Sequence, residues 1–178
     1  NKTADPRLFV NALQPWIDSV QFQAPIWQRV SRPNFYAGQA DKYGFSIRKY
    51  SPIFNSVNNV KGGKADGANI YLLRLADVYL LYAEACANSG DNANALEYIN
   101  KVKRRAYSYP VDAVSPVDYM SLSDQTSAYA AGDPVLGNNP LYYERWAELF
   151  NEGHWWFDLC RWKLGASEAG FYGAALNV

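Results

Sequence analysis

The sequence predicts a mainly α-helical domain built from paired helices and long irregular loops. Residues 69–88 repeat apolar side chains with the helical period. A Ser89-Gly90-Asp91 break leads into a second periodic run, and glycine and proline crowd the segments on either side. At 178 residues the chain has the length of one ordinary domain and can bury a real core.

Residues 1–68 read as loop-rich. Pro6, Pro15, Pro25, Pro33 and Pro52, with Gly38, Gly44, Gly62, Gly63 and Gly67, stand too close together for long helices, although a short strand fits Gly44–Tyr50. Over 69–88, Leu72, Leu75, Ala76, Tyr79, Ala83 and Cys86 share one helix face. Leu73, Leu80 and Leu81 make the other faces apolar too, so this helix is expected to lie between neighbours. Gly90 suits a left-handed helix end, and Asp91 an N-cap. The second helix, 92–107, should bury Ala95, Ile99, Val102 and Ala106. Its last turns carry Lys101, Lys103, Arg104 and Arg105; complementing the helix dipole explains these more simply than a phosphate-binding patch.

Residues 108–138 return to loop. Asn139-Pro140 opens a third helix, with Asn as cap and Pro in the first turn. Tyr142, Trp146, Leu149 and Phe150 mark its expected buried face, and Gly153 its end. A fourth helix follows over His154–Leu164, stopped by Gly165, so 139–165 form a second helical pair; 166–178 make a small apolar tail.

Composition narrows the function classes. Seventeen basic residues balance seventeen acidic ones, against the clustered positive charge that nucleic acid requires. No stretch approaches the roughly 20 apolar residues that span a bilayer, and no signal-peptide pattern opens the chain. Aromatic residues reach 16%, enough to fill a core and still offer stacking platforms for sugar rings. Cys86 and Cys160 both lie in apolar helical patterns and are expected to be buried; whether they are free stays open. With no CxxC or His-Cys cluster, no metal site or cofactor is expected.

The run Gly90-Asp-Asn-Ala-Asn-Ala-Leu-Glu-Tyr98 resembles the second half of a tetratricopeptide repeat, a hairpin that needs stacked neighbours to bury its faces. Three wider segments, in order, resemble the SusD/RagB family. The first is Asp5-Pro-Arg-Leu8 with Arg48-Lys-Tyr50. The second runs Arg74-Leu-Ala-Asp-Val-Tyr79 through Ala83-Glu-Ala85, Gly90, Ala95 and Ile99–Ala106. The third runs Glu144-Arg-Trp-Ala-Glu-Leu149 through Glu152-Gly153, Asp158-Leu159 and Arg161-Trp162. Where the family usually places Arg after Glu-Gly-x, this chain has Trp155, which puts the ion pair of that arginine in question.

The resemblance implies a SusD-like fold, with residues 1–178 as the C-terminal part of a longer lipoprotein. It also implies a non-catalytic protein, lipid-anchored at the outer-membrane cell surface. Such a protein binds a nutrient glycan in polysaccharide utilisation and delivers it to a TonB-dependent SusC-like transporter. A RagB-like peptide receptor is the alternative, and a helical glycoside hydrolase a more distant one. Binding residues concentrate on loops, so Trp16, Trp27, Tyr36 and Tyr43 are the candidate ligand-facing residues.

Glu144, Glu148 and Glu152 fall at i, i+4 and i+8 and would repel on one helix face unless cations oppose them. Arg145 and Arg161 are the nearest candidates in sequence, with Asp158 and Arg161 paired at i, i+3. Two such carboxylates about 5 to 9.5 Å apart could serve a glycoside hydrolase as acid and base. Arginine neighbours would keep them ionised, however, so a structural seam between helices is preferred. His154, the only histidine, has no recognisable catalytic partner and is expected to pack or cap.

Overall fold

A computed structural model describes residues 4–23, 26–31, 46–49 and 71–166. They divide into two compact units, one from residues up to Arg7 together with those from Leu73 onward, the other Leu8–Leu72.

The larger unit is helical, as the periodicity predicts. Helix α2 (Leu75–Asn88) and helix α3 (Asn92–Ala106) form the hairpin. Gly90 joins them at φ 86°, a left-handed turn that only glycine adopts without strain. The Asp91 carboxylate accepts from the Asn94 N–H at 3.2 Å and caps α3. Helix α4 (Pro140–Glu148) starts on the Asn139 side chain, which accepts from the Tyr142 N–H at 3.1 Å. Helix α5 (His154–Trp162) ends on Lys163, itself left-handed at φ 59°. Ala76, Leu80 and Ala83 of α2 pack against Ile99 and Val102 of α3, Tyr119 of the loop and Leu141 of α4.

Several boundaries and faces differ from expectation. Helix α2 begins at Leu75, and Leu72, placed on its buried face, is 89% exposed ahead of the first turn. Its inward stripe is Ala76, Leu80 and Ala83, while Leu75 and Leu81 face solvent. The two acidic residues of α2, Asp77 and Glu84, turn toward arginines of α4 and α5. Its outer face therefore carries Leu75, Val78, Leu81 and Tyr82 without a charge. Helix α4 stops at Glu148, short of Gly153, and buries Glu144, Arg145 and Glu148 more deeply than Tyr142, Trp146 or Phe150. Those charges go inside because each meets an opposite charge there. Of the cysteines, Cys86 is buried, Cys160 is exposed, and both are free. Cys160 sits with exposed Trp156 and Phe157 on the side of α5 away from Asp158 and Leu159.

The loop over 107–139 contains no helix or strand, yet it is closely tied. Asp118, Asp124 and Asp133 each accept backbone N–H groups within three or four residues. At Gly137 a Cβ would lie 2.7 Å from the carbonyl oxygens of Ala130 and Asp133, so no larger residue fits without moving backbone.

The smaller unit holds more order than its prolines and glycines suggest. Short helix α1 (Arg7–Asn11) leads into it, followed by the antiparallel strands β1 (Ser19–Gln23) and β2 (Ile26–Arg29). The register pairs Ser19 with Arg29, Val20 with Gln28 and Gln23 with Ile26, with an irregularity between Val20 and Gln23. Leu13, Val20 and Val30 form its small core. Of the proposed Gly44–Tyr50 strand, Ile47 makes an antiparallel bridge to Ala12; residues 44, 45 and 50 lie outside the described residues.

Candidate functional site

In the smaller unit, alternation along β2 directs Val30 into the core and Trp27 and Arg29 outward. Trp27 is 57% exposed. Just before β1, the Pro15-Trp16-Ile17 turn puts Trp16 at φ 63°, left-handed and costly for a bulky aromatic residue. Hydrogen bonds hold it there. The Trp16 N–H donates to the Val30 carbonyl at 2.5 Å, and the Asp18 N–H to the Gln14 carbonyl at 3.0 Å. The Asp18 carboxylate accepts from the Gln14 N–H at 2.8 Å. Arg29 Nε then donates to the Trp16 carbonyl at 3.0 Å. The Trp16 indole is 60% exposed. Arg29 thus ties the Trp16 turn to the strand that carries Trp27. The other two candidates, Tyr36 and Tyr43, lie outside the described residues.

The larger unit contains two chains of ion pairs. Glu144 is fully buried, and Arg7 reaches it with Nη1 at 2.6 Å and Nη2 at 3.2 Å. The Tyr119 hydroxyl adds a third donor to Glu144 at 2.9 Å. Asp5 holds the other side of Arg7 at 2.6 Å and accepts from the Tyr143 hydroxyl at 3.1 Å. Arg74 bonds Glu148 at 2.6 Å and Glu152 at 2.7 Å, and Arg105 also reaches Glu148. Arg145 is spent elsewhere, on Asp77 at 2.9 Å and Asp158 at 2.7 Å. Arg161 continues the chain from Asp158 at 2.8 Å to Glu84, which also accepts from the Trp162 indole at 2.8 Å.

Among the described residues the cations facing the three glutamates are therefore Arg7, Arg74 and Arg105, not the expected Arg145 and Arg161. Sequence proximity favoured the wrong partners because side chains one apart on a helix point in different directions. The useful signal lay in the charges of the separate segments: an arginine in the first and second matched the glutamates of the third.

Burial alone would raise the Glu148 carboxyl, but the Arg74 hydrogen bond and the charges of Arg105, Arg74 and Arg7 hold it below its ordinary value. Glu84 and Asp5, both half-buried, are likewise held low by Arg161 and Arg7. Burial and the Glu144 charge push the Tyr119 phenol far above its usual range. Arginines surround these carboxylates and keep Glu148 ionised, a poor arrangement for a general acid. Trp155, at the position that drew attention in the sequence, joins the aromatic packing around Tyr143 and Ala147 and meets Trp162 edge-on at 6.3 Å. Among the described residues no group of three or more His, Cys, Asp or Glu side chains is placed to hold a metal ion.

The charged residues of the resembling segments thus pair across segments in two networks, Arg7 and Arg74 with Glu144, Glu148 and Glu152, and Arg145 and Arg161 with Asp77 and Glu84. The family model described as the SusD family matches residues 1–177. The chain belongs to the SusD family. Two SusD-like proteins of Formosa agariphila are similar to it. SusD-like protein P25 is 36% identical over 97 residues, 54% of this chain and 16% of that protein. SusD-like protein P38 is 32% identical over 96 residues, 54% of this chain and 17% of that protein. The match spans less than a fifth of either relative's length. No solved structure gives a significant match. Among the described residues no helix is long and apolar enough to cross a membrane.

Proposed function

We propose that this chain is part of a cell-surface nutrient receptor that binds a glycan without cleaving it. It passes the ligand to a TonB-dependent SusC-like transporter and is held at the outer membrane by a lipid on its polypeptide. Membership of the SusD family supports the class of function, since the family is one of binding proteins. The observation that carries the ligand-facing surface is Trp16. A tryptophan fixed in a left-handed turn, its ring exposed, is a conformation that folding alone does not favour. Trp27 supplies a second exposed ring from the same hairpin, and Arg29, bonded to the Trp16 carbonyl, a polar group beside it. Exposed rings of this kind stack on the C–H faces of sugars. Tyr36 and Tyr43 complete the proposed aromatic set. The non-catalytic reading is supported by the use of Glu144, Glu148 and Glu152 as ion-pair partners.

The test is an affinity-gel and glycan-array screen of the full-length receptor, with a peptide library beside it. Saturable glycan binding without product release is the expected outcome. Trp16→Ala and Trp27→Ala should each weaken it about tenfold while leaving the far-ultraviolet spectrum unchanged. Unaltered affinity in both variants removes these residues from the site, and binding to peptides alone moves the nutrient class to protein fragments.

A further inference from the structure

The cationic tail of α3, set aside in the sequence as dipole complementation, has a second aspect in three dimensions. Its four charges separate. Arg104 is buried and committed to Asp118 and Glu97. Lys103 lies over the Tyr119 ring at 3.3 Å. Lys101 and Arg105 instead flank a groove of about 450 Å³ between the end of α3 and the start of α2, where Arg74 joins them. Leu75, Tyr79 and Val102 lie among the apolar residues that line it. The loop residue Val111 closes one side, fixed by an Arg104 hydrogen bond to its carbonyl at 2.9 Å.

Among the described residues no carboxylate lines this groove, and no amide, serine or threonine side chain does either. The acids that neutralise its cations sit behind or outside it: Glu148 and Glu152 for Arg74, Glu148 for Arg105, Asp112 and Glu97 for Lys101. Glu148 is shared among Arg7, Arg74 and Arg105, so one carboxylate serves three guanidiniums. Arg105 commits one nitrogen, Nη2, to it; its Nε and Nη1 have no acceptor among the described residues, and its side chain is 55% exposed. The described residues of the groove thus offer hydrocarbon contact and charged donors, with Tyr79 the only neutral polar side chain among them. A sugar ring with many hydroxyls is poorly served by such walls. A carboxylate on a compact apolar body is well served, with its oxygens on Arg105 and Lys101 and its hydrocarbon on Leu75, Tyr79 and Val102.

We propose that the groove between α2 and α3 is a second binding site, separate from the tryptophan hairpin, that takes a ligand of this kind: a single carboxylate carried on an apolar group. The C-terminal residue of a peptide and a free short-chain acid share that chemistry. The test is a titration of the whole chain followed by amide resonances, using N-acetyl-leucine, N-acetyl-leucinamide, hexanoate and glucuronate as probes. N-acetyl-leucine should shift Leu75, Tyr79, Val102 and Arg105 saturably. Its uncharged amide should bind at least about tenfold more weakly, as should the acid to Arg105→Gln and to Lys101→Gln. Arg105 is exposed and Lys101 half-buried on α3, and an unchanged thermal midpoint would separate lost binding from lost fold. Hexanoate binding as well as N-acetyl-leucine identifies a free-acid site; much weaker hexanoate binding identifies the end of a peptide. Equal affinity for acid and amide, a preference for glucuronate, or no shift at tens of millimolar overturns the proposal. Because the probes report at residues remote in sequence from Trp16 and Trp27, glycan binding at the hairpin can stand or fall independently.

Discussion

At the scale of single residues, burial decides what an ion pair is worth. Arg145 has almost no solvent exposure and binds Asp77 and Asp158, both equally enclosed. Arg145→Leu takes this cation from buried Asp77 and leaves buried Asp158 with Arg161 alone, and should cost about 3–5 kcal/mol, read from the urea midpoint. Arg161 makes as many contacts from a side chain 37% exposed, where solvent can replace them. Arg161→Gln should cost less than about 1 kcal/mol. Similar losses for the two variants would show that enclosure is not what separates them. Neither role was fully legible in the sequence. The i, i+3 spacing gave the Asp158–Arg161 pair, whereas Arg145 reaches Asp77 across 68 residues, a distance no local spacing encodes. Trp16 was legible as an aromatic residue in a proline-rich loop, but not as a left-handed one, since Pro15 fixes its own backbone and leaves that of Trp16 undecided.

Among the elements, the signals that proved readable were those acting within a few residues. The Gly90 turn, the Asp91 and Asn139 caps and the apolar face of α3 all follow from neighbours along the chain. Asp91→Ala should therefore lower the midpoint of thermal unfolding by losing the N-cap. Gly137→Ala should cost more, because the added Cβ meets two carbonyl oxygens at 2.7 Å where Gly90 has open space. A ranking with Asp91→Ala the more damaging would mean that the loop carrying Gly137 yields easily. The start of α2 misled because Leu72 and Leu73 extend its apolar period, while nothing in the period marks where hydrogen bonding begins. The hairpin of β1 and β2 escaped for a different reason. Its strands are five and four residues long, and a register irregularity interrupts their pairing. Its core joins Val20 of β1 to Leu13 and Val30, both outside the strands, so the pattern that specifies the hairpin is not contained within it.

For the molecule as a whole, the carboxylates set the acid limit. Asp5, Glu84, Asp118 and Glu148 are all held below their ordinary values. Their contribution is complete above the unfolded values near about 4 and disappears as pH falls through the lower folded ones. Tyr119 and Tyr143 are raised, so stability is lost in the other direction once pH climbs past about 10. Chemical denaturation at stepped pH should give a plateau between roughly pH 5 and 9 with a fall on each side. A midpoint that keeps rising below pH 4 would contradict the ion-pair assignments. The same network also imposes an order of events during synthesis. Asp5 and Arg7 leave the ribosome well before Glu144, which follows Arg7 by 137 residues. At typical elongation rates that interval lasts on the order of ten seconds. Throughout it the arginine is without Glu144, while the whole of the smaller unit is made in between. The larger unit is therefore closed by its last third, and a nascent chain halted before α4 carries the opening strands of a lock whose receiving half has not yet been translated.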